Sequence, residues 1–422
     1  MEVLYDPARH EPLRPLPWAE GQVRAAIEHI VADAEAHFTD DGYWPFHPLD
    51  AGGPNKTGRV NPFLYDGACG VFWALHYLRD VGAATLSRNW FAPLERLLAR
   101  NPASFSESAV QNRASFMEAD TPIRMMVFGS APTDELESAL DALIAGNLDH
   151  PARELMFGSP GTMLAALFLH ERTGNRRWAD LFRLTADTLW SQLEWSTEHQ
   201  CAYWTQEFAG HRFAYLDGVH GFVGTALPLI RGRHLLDASK WDMWEECIVN
   251  TVQRTADRVG AHANWRPEMD RAADPKMLLQ FCHGAPGFVV CLAGLPGTAL
   301  DDVLLAAGET IWSAGPLIKG SNLCHGTGGN GYAFLKLYQR TGDARWLERA
   351  RAFAMHGIAQ TREATQRYGQ GRYSLWTGDP GFAVYLWDCI RAEAQFPTLD
   401  VFYASPTAAS SSSGGFTLRN ST

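Results

Sequence analysis

Two segments follow the same sequence pattern: NLCHGTGGNGYAFLKLYQRTGDARW (residues 322–346) and ELMFGSPGTMLAALFLHERTGNRRW (residues 154–178). Each contains a Gly-x-x-Gly pair, an apolar stretch of helical length and period, and an Arg-Thr-Gly element that runs into a tryptophan. Because glycine readily adopts the left-handed conformation that closes a helix, the Arg-Thr-Gly element predicts the end of one helix and the start of another. The repeating unit is therefore expected to be a helical hairpin.

Gly-x-x-Gly pairs recur along the chain, at Gly67/Gly70, Gly158/Gly161, Gly221/Gly224, Gly284/Gly287, Gly326/Gly329 and Gly378/Gly381. The widest interval leaves room for one further copy, for which FGSAP at residues 128–132, without the second glycine, is the candidate. Seven units of about 52 residues each provide enough chain for two helices and their loops. An open solenoid would need polar caps, which are not evident. We predict an all-α fold, an α/α toroid of seven hairpins with inner and outer helix rings.

The composition indicates a folded globular protein, with 46% apolar and 20% charged residues. The net charge of -11 argues against nucleic acid or anionic lipid as a partner, because no global basic field exists to attract them. No Ser/Gly-rich linker divides the main part of the chain. We therefore expect a single domain over residues 1–403, followed by a disordered serine-rich tail at 404–422.

The cysteines indicate a reducing compartment. Seven of them are scattered over a long chain, unlike the dense, even sets of secreted scaffolds. The first 18 residues are too polar for a signal peptide, and no apolar run reaches the length of an integral membrane segment. A cytoplasmic location is expected.

Three glycine loops also carry side chains that bind metals: Val-His-Gly at 219–221 and Cys-His-Gly at 282–284 and 324–326. Cys282 and Cys324 occupy the same position in their repeats, so the repeat geometry is expected to bring them face to face. Zinc prefers thiolate and imidazole, and Cys282, Cys324 and His325 predict a Cys2His site with one tetrahedral position open. An open position favours catalysis, although buried free cysteines are the alternative here and the expectation for the other five.

These motifs resemble the LanC family of lanthionine cyclases, especially its glutathione-using LanC-like branch. The resemblance rests on GVHGFVG (218–224), FCHGAPG (281–287), NLCHGTGGNGYAFLKLY (322–338), ELMFGSPG (154–161) and SLWTGDPGFAVYL (374–386). It covers about residues 60 to 400 and implies a toroid of seven inner and seven outer helices. It also implies zinc-assisted addition of a thiol, from glutathione or a peptide, to dehydroalanine or dehydrobutyrine in a dehydrated peptide or protein, which forms a thioether.

The resemblance assigns roles by motif to the zinc ligands Cys282, Cys324 and His325, the general acid/base His220, the acidic residue Glu154, and Lys319 near the thiol substrate. A histidine titrates near neutral pH, so His220 is suited to protonate the enolate that follows thiol attack. His283 receives no role. Phe281 stands where the family usually has tryptophan, a change expected to alter the pocket shape rather than zinc binding.

Three other interpretations stay open. The protein could be a lanthipeptide cyclase that joins a precursor peptide's own cysteine to its own dehydroamino acid, or a zinc-stabilised binding scaffold without turnover. A sugar epimerase or glycosidase on a helical toroid is the third, and the metal-binding loops argue against it. No dehydratase region accompanies the repeats, so another protein or chemical damage must supply the dehydroamino acid.

Overall fold

The computed structural model describes residues 4–50, 60–100, 113–269 and 277–404. Within them lie the helices α1 (Glu20–Ala36), α2 (Ala68–Asp80), α3 (Phe91–Ala99), α4 (Asp120–Ser130), α5 (Asp134–Gly146), α6 (Ser159–Thr173), α7 (Arg176–Ser191), α8 (Phe222–Arg231), α9 (Ala238–Thr255), α10 (Ala285–Leu292), α11 (Asp301–Ala314), α12 (Thr327–Thr341), α13 (Ala344–Tyr368) and α14 (Asp379–Arg391). Three antiparallel two-stranded sheets pair β1 (Glu194–Ser196) with β2 (Cys201–Tyr203), β3 (Gln206–Phe208) with β4 (His211–Phe213), and β5 (Ala256–Val259) with β6 (His262–Trp265).

The even-numbered helices form a closed inner ring. Each contacts the next even-numbered helix, and α14 contacts α2 in turn. The first eleven residues of α6 and of α12 are all buried, as expected for helices enclosed on every side. The outer helix α7 instead buries one stripe at helical spacing, including Trp178, Phe182 and Leu189. The predicted α/α toroid of seven hairpins is confirmed.

The seventh hairpin joins two distant parts of the chain. Six inner helices are followed directly by an outer helix, whereas α14 packs against α1. The buried face of α1, which includes Val23, Ile27 and Ile30, supplies the apolar surface for this contact. Among the described residues, no helix combines the length and apolar character needed to cross a membrane.

The second inner helix begins earlier than its predicted loop. Residues 128–132 lie at the end of α4, whereas the helix begins immediately after Ala119. Ala119 has φ -153° and ψ -154°, an extended conformation that any residue can adopt, so the backbone conformation permits alanine here. The prediction of a degenerate glycine loop at 128–132 was therefore wrong, and Ala119 and Pro122 stand where the other repeats have glycines.

The surroundings of the Gly-x-x-Gly pairs explain why these positions are glycine, as two of them illustrate. Gly284 precedes α10 with φ +106°, a conformation that L side chains rarely adopt. At Gly329 in α12, a Cβ atom would overlap the carbonyl oxygen of Leu323, which belongs to the loop folded over that helix end. Glycine thus allows the loops to lie directly on the helix N-termini.

Residues 392–404, the floor segment, run through the centre of the ring after α14. The Phe396 ring lies 4.8 Å from that of Phe281 and 4.7 Å from that of Tyr332. Arg231 of α8 donates a hydrogen bond to the Leu399 carbonyl, and Trp73 of α2 donates one to the Phe402 carbonyl. The segment therefore ties several inner helices together. The predicted tail lies outside the described residues from 405 onward.

Candidate active site

The loops before the seven inner helices are in register when counted back from the residue that caps each helix. The capping residues are Gly67, Ala119, Gly158, Gly221, Gly284, Gly326 and Gly378. One residue earlier stand Asp66, Glu118, Phe157, His220, His283, His325 and Thr377, and two residues earlier stand Tyr65, Met117, Met156, Val219, Cys282, Cys324 and Trp376. The residues with reactive side chains thus occupy two equivalent positions around one end of the ring.

Backbone hydrogen bonds connect neighbouring loops at the second of these positions. The Cys282 amide donates to the Cys324 carbonyl at 3.1 Å, and the Cys324 amide donates to the Trp376 carbonyl at 2.9 Å. The Trp376 amide in turn donates to the Tyr65 carbonyl at 3.0 Å. This chain of bonds fixes the distance between the two cysteine loops, and it explains why residues 42 positions apart in sequence face each other.

The N-terminal amides of the inner helices donate hydrogen bonds to carbonyls of the loops that precede them. At α12, the N–H groups of residues 327–329 donate to the carbonyls of residues 320–322. Equivalent bonds join residues 222–224 to residues 215–217 at α8. Because these amides are already paired, the chemistry of the site comes from the loop side chains.

Cys282, Cys324 and His325 form a compact set of metal-binding atoms. One ligand atom from each lies within 4.8 Å of the others. Two sulfurs bound to one tetrahedral zinc ion at about 2.3 Å lie about 3.8 Å apart, which is within the span of these ligand atoms. Both cysteines are buried, which favours retention of a metal. The residues present therefore fit a Cys2His zinc site with an open fourth position.

The two cysteines differ in their affinity for protons. The hydrogen bond to Cys324, together with burial, raises the pKa of Cys282 well above its ordinary range. The same hydrogen bond lowers the pKa of Cys324, which also accepts a hydrogen bond from the Tyr65 hydroxyl at 2.9 Å. The pair thus shares a proton, which a bound cation would displace.

His220 and Glu154 form a dyad beside the cysteines. Nδ1 of His220 lies 2.8 Å from Oε2 of Glu154, and the buried carboxylate also accepts hydrogen bonds from the Met156 and Phe157 amides. Burial lowers the pKa of His220, but the hydrogen bond and charge of Glu154, with the charges of Asp217 and Cys282, raise it to about 9. His220 is therefore held as a proton donor at neutral pH.

A second dyad of the same design lies one loop away. Nδ1 of His283 is 2.7 Å from Oδ2 of Asp217, whose other oxygen accepts hydrogen bonds from the Val219 and His220 amides. Burial lowers the pKa of His283, but Asp217 more than offsets this and raises it. Asp217 and Glu154 each stand four residues before a capping glycine, so repeat register alone identifies Asp217.

Aromatic side chains surround His220. The rings of Phe208, Phe157 and Tyr215 lie 5.1, 6.1 and 5.9 Å from its imidazole, measured between centroids. Phe208 is the last residue of β3, which forms a hairpin with β4 next to the dyad. The hairpin therefore gives the dyad an apolar wall on one side.

Two carboxyl groups also occupy the loop position that precedes the helix caps. Burial raises the pKa of Glu118 to about 8, and the negative charges of Asp66 and Glu154 act in the same direction. Burial likewise raises the pKa of Asp66, whose carboxylate accepts a hydrogen bond from Asn61 at 2.8 Å. Their place in the loop register is the sequence signal that identifies these acids.

His325 opens onto a cavity of about 560 Å³. Its wall includes the exposed apolar residues Leu49 and Ile318, together with Lys319, His325 and Arg372. Arg372 is paired with Asp50, whereas Lys319 forms no ion pair within the described part of the chain. The structure thus brings Lys319 close to the candidate metal ligands and exposes it to solvent.

The chain is similar to several known proteins. The profile of the family described as lanthionine synthetase C-like protein matches residues 130–401. Glutathione S-transferase LANCL1 of Danio rerio is 37% identical over 144 residues, which make up 33% of this chain and 35% of that protein. LanC-like protein GCL1 of Arabidopsis thaliana is 28% identical over 264 residues, 59% of this chain and 58% of that protein. The alignments thus span about a third and somewhat over half of these relatives.

A solved structure has the same fold. Nisin cyclase matches 89% of this chain and 96% of its own, with a TM-score of 0.58 and 14% sequence identity. At this identity the likeness concerns the toroidal fold.

Proposed function

The chain belongs to the lanthionine synthetase C-like family, and we propose that it forms a thioether by adding a thiol to a dehydroalanine or dehydrobutyrine residue. The acceptor is a dehydrated peptide or protein, and glutathione is the proposed thiol. The observation that carries the proposal is the presence, in neighbouring loops of one ring, of a Cys2His ligand set and a histidine held as a proton donor.

Zinc is the proposed cofactor, held by Cys282, Cys324 and His325. When bound, it supplies a positive charge that favours the deprotonated, nucleophilic form of a thiol. The burial of both cysteine ligands keeps bulk water away from their sulfurs. The backbone bond between the two cysteine loops keeps the ligand set in place during the reaction.

His220 is the proposed general acid. As the carbon–sulfur bond forms at the β-carbon, the electron pair of the carbon–carbon double bond moves toward the carbonyl, and the α-carbon must then receive a proton. Glu154 engages Nδ1 of His220, so Nε2 is the nitrogen that can deliver this proton. The thiol releases one proton when it becomes a thiolate, and His220 takes up one proton from solvent after it has donated its own. The reaction therefore consumes no net proton.

Lys319 is proposed to bind a carboxylate of the thiol substrate. It is exposed in the wall of the cavity that includes His325, where its ammonium group can attract an anionic ligand. The cavity, at about 560 Å³, has the size typical of a small-molecule site. A tripeptide thiol such as glutathione matches this combination of size and charge.

The proposal is tested by incubating the zinc-loaded protein with glutathione and a dehydroalanine peptide, and by following the peptide mass. We expect a mass increase of one glutathione, which disappears in His220→Ala and Cys324→Ala. Lys240→Ala is the control, since it removes only an exposed ion pair with Asp187. No adduct with the wild-type protein, at full zinc occupancy, would refute the proposal.

The same assay separates the alternatives. A peptide that carries both a cysteine and a dehydroalanine loses no mass on cyclisation, but one thiol disappears, which a thiol-reactive label detects. Cyclisation without glutathione transfer would indicate a lanthipeptide cyclase. A protein that binds zinc and the peptide but yields neither product would be a binding scaffold.

A further inference from the structure

Each cysteine sulfur of the candidate site accepts a hydrogen bond from a side chain outside the ligand set. The Gln280 amide donates from Nε2 to Sγ of Cys282 at 2.9 Å, and the Tyr65 hydroxyl donates to Sγ of Cys324 at 2.9 Å. Gln280 is buried, so water does not compete for its amide. Hydrogen bonds to metal ligands withdraw charge from them and fix their orientation.

The orientation of Gln280 is set by an arginine from the start of the chain. Arg9 donates from its guanidinium to Oε1 of Gln280 at 3.0 Å. A guanidinium has only donors, so the amide oxygen must face Arg9. The NH2 group of the amide is then the part that faces Cys282, and the direction of the hydrogen bond follows from the pair of partners.

Arg9 belongs to a segment that is itself held in place. The Ile318 amide donates to the Arg9 carbonyl at 3.1 Å, and the Glu11 amide donates to the Pro316 carbonyl at 2.9 Å. The Glu11 carboxylate lies 2.7 Å from Nε2 of His356 and accepts a hydrogen bond from Gln360 at 2.7 Å. The segment thus lies in a short antiparallel pairing just before the second cysteine loop.

We propose that Arg9 and Gln280 are positioning residues of the metal centre: Arg9 orients the Gln280 amide, whose hydrogen bond reduces the negative charge on the Cys282 sulfur. Tyr65 does the same for Cys324. The inference rests on the proposed function, because it requires that these cysteines bind a metal. The two ligand sulfurs become poorer nucleophiles than the incoming thiol, so the electrophile reacts with the thiol rather than with Cys282 or Cys324.

The test uses the full chain loaded with Co²⁺, whose sulfur-to-cobalt charge-transfer band reports the electron density on the ligand sulfurs. Gln280→Leu and Tyr65→Phe are expected to move the band to longer wavelength, because each removes a hydrogen bond that stabilises the sulfur electrons. Arg9→Ala should shift it in the same direction by a smaller amount, since the amide remains but is no longer held. Arg14→Ala is the control: it removes the ion pair with Glu363 and should leave the band in place.

A second readout is the rate at which iodoacetamide alkylates Cys282 in the zinc-loaded protein. Gln280→Leu should raise this rate about fivefold, the effect of losing one ordinary hydrogen bond. Bands and rates for Arg9→Ala and Gln280→Leu that match the wild type would overturn the inference while leaving the proposed function intact. A wild-type chain that binds no cobalt would overturn both. If Gln280→Leu does not fold, the band position and alkylation rate of Arg9→Ala test the inference instead, because the Arg9 side chain lies outside the core.

Discussion

Glu154→Gln is the most informative single substitution in the proposed mechanism. The Glu154 side chain is buried and bonded to the Met156 and Phe157 amides and to His220. Glutamine has the same shape but only one acceptor oxygen, so one of the two backbone amides loses its hydrogen bond to this side chain. The change therefore removes the charge of the dyad and one loop hydrogen bond, while the volume of the buried side chain stays the same.

The expected effect follows from the pKa of His220, which is raised to about 9. Without the carboxylate, burial opposes only the charges of Asp217 and Cys282, and the pKa should fall to or below its ordinary value near 6.5. At pH 7.5 the protonated fraction of His220 then drops from about 97% to about 9% or less. We expect the rate of thioether formation to fall at least about tenfold at this pH.

The assay is the rate of adduct formation by mass spectrometry between pH 6 and pH 9. A histidine with a raised pKa can donate a proton at every pH below about 9, so the loss in the variant should shrink as the pH falls toward 6. The ratio of variant to wild-type rate removes the pH dependence of the thiol itself. Glu309→Gln, which alters ion pairs with Arg345 and Arg349 on the outer ring, is the control. A loss that is constant across this pH range would refute proton donation by His220.

Three further predictions concern the metal, the thiol and the core. Cys324→Ala should reduce the zinc content from about one ion per chain to none by elemental mass spectrometry; retention of zinc would contradict the ligand set. Lys319→Ala should raise KM for glutathione about fivefold with kcat unchanged, because one exposed charge contact is lost; an unchanged KM would argue against this contact. Lys336→Met removes the ammonium group 2.8 Å from the largely buried Asp400 carboxylate, which keeps only its hydrogen bond from the Phe396 amide, and urea unfolding should show a loss of about 3 kcal/mol in the free energy of unfolding. A loss below about 1 kcal/mol would contradict that estimate.

The sequence predicts the parts of the site that depend on repeat register. Cys282 and Cys324 occupy the same place in their repeats, and equivalent backbone bonds between loops convert that register into proximity. The same register places His220 in the neighbouring loop of the ring, where Glu154 meets it from the loop before. The toroid is predictable for a related reason, since each glycine loop marks the start of an inner helix.

Other features of the fold and of the site cannot be predicted from the neighbouring sequence. Ala119 stands where the other loops have a capping glycine, so the second loop cannot be recognised from the glycine pattern. The bond between Arg9 and Gln280 joins residues 271 positions apart, and nothing in either segment specifies the other. Phe396 packs at the centre of the ring because the whole barrel encloses it, a consequence of tertiary structure rather than of its neighbours in sequence.

The pairing of α1 with α14 and the central position of the floor segment have a consequence for biosynthesis. A ribosome releases α1 long before α14, so the apolar face of the first helix must wait for a partner made more than 340 residues later. Phe281, next to a candidate metal ligand, likewise has no contact with Phe396 until that residue has been synthesised. Nascent chains therefore expose apolar surface until α14 and the floor segment have been synthesised, and we expect folding to depend on chaperones and the proposed zinc to bind only after that point.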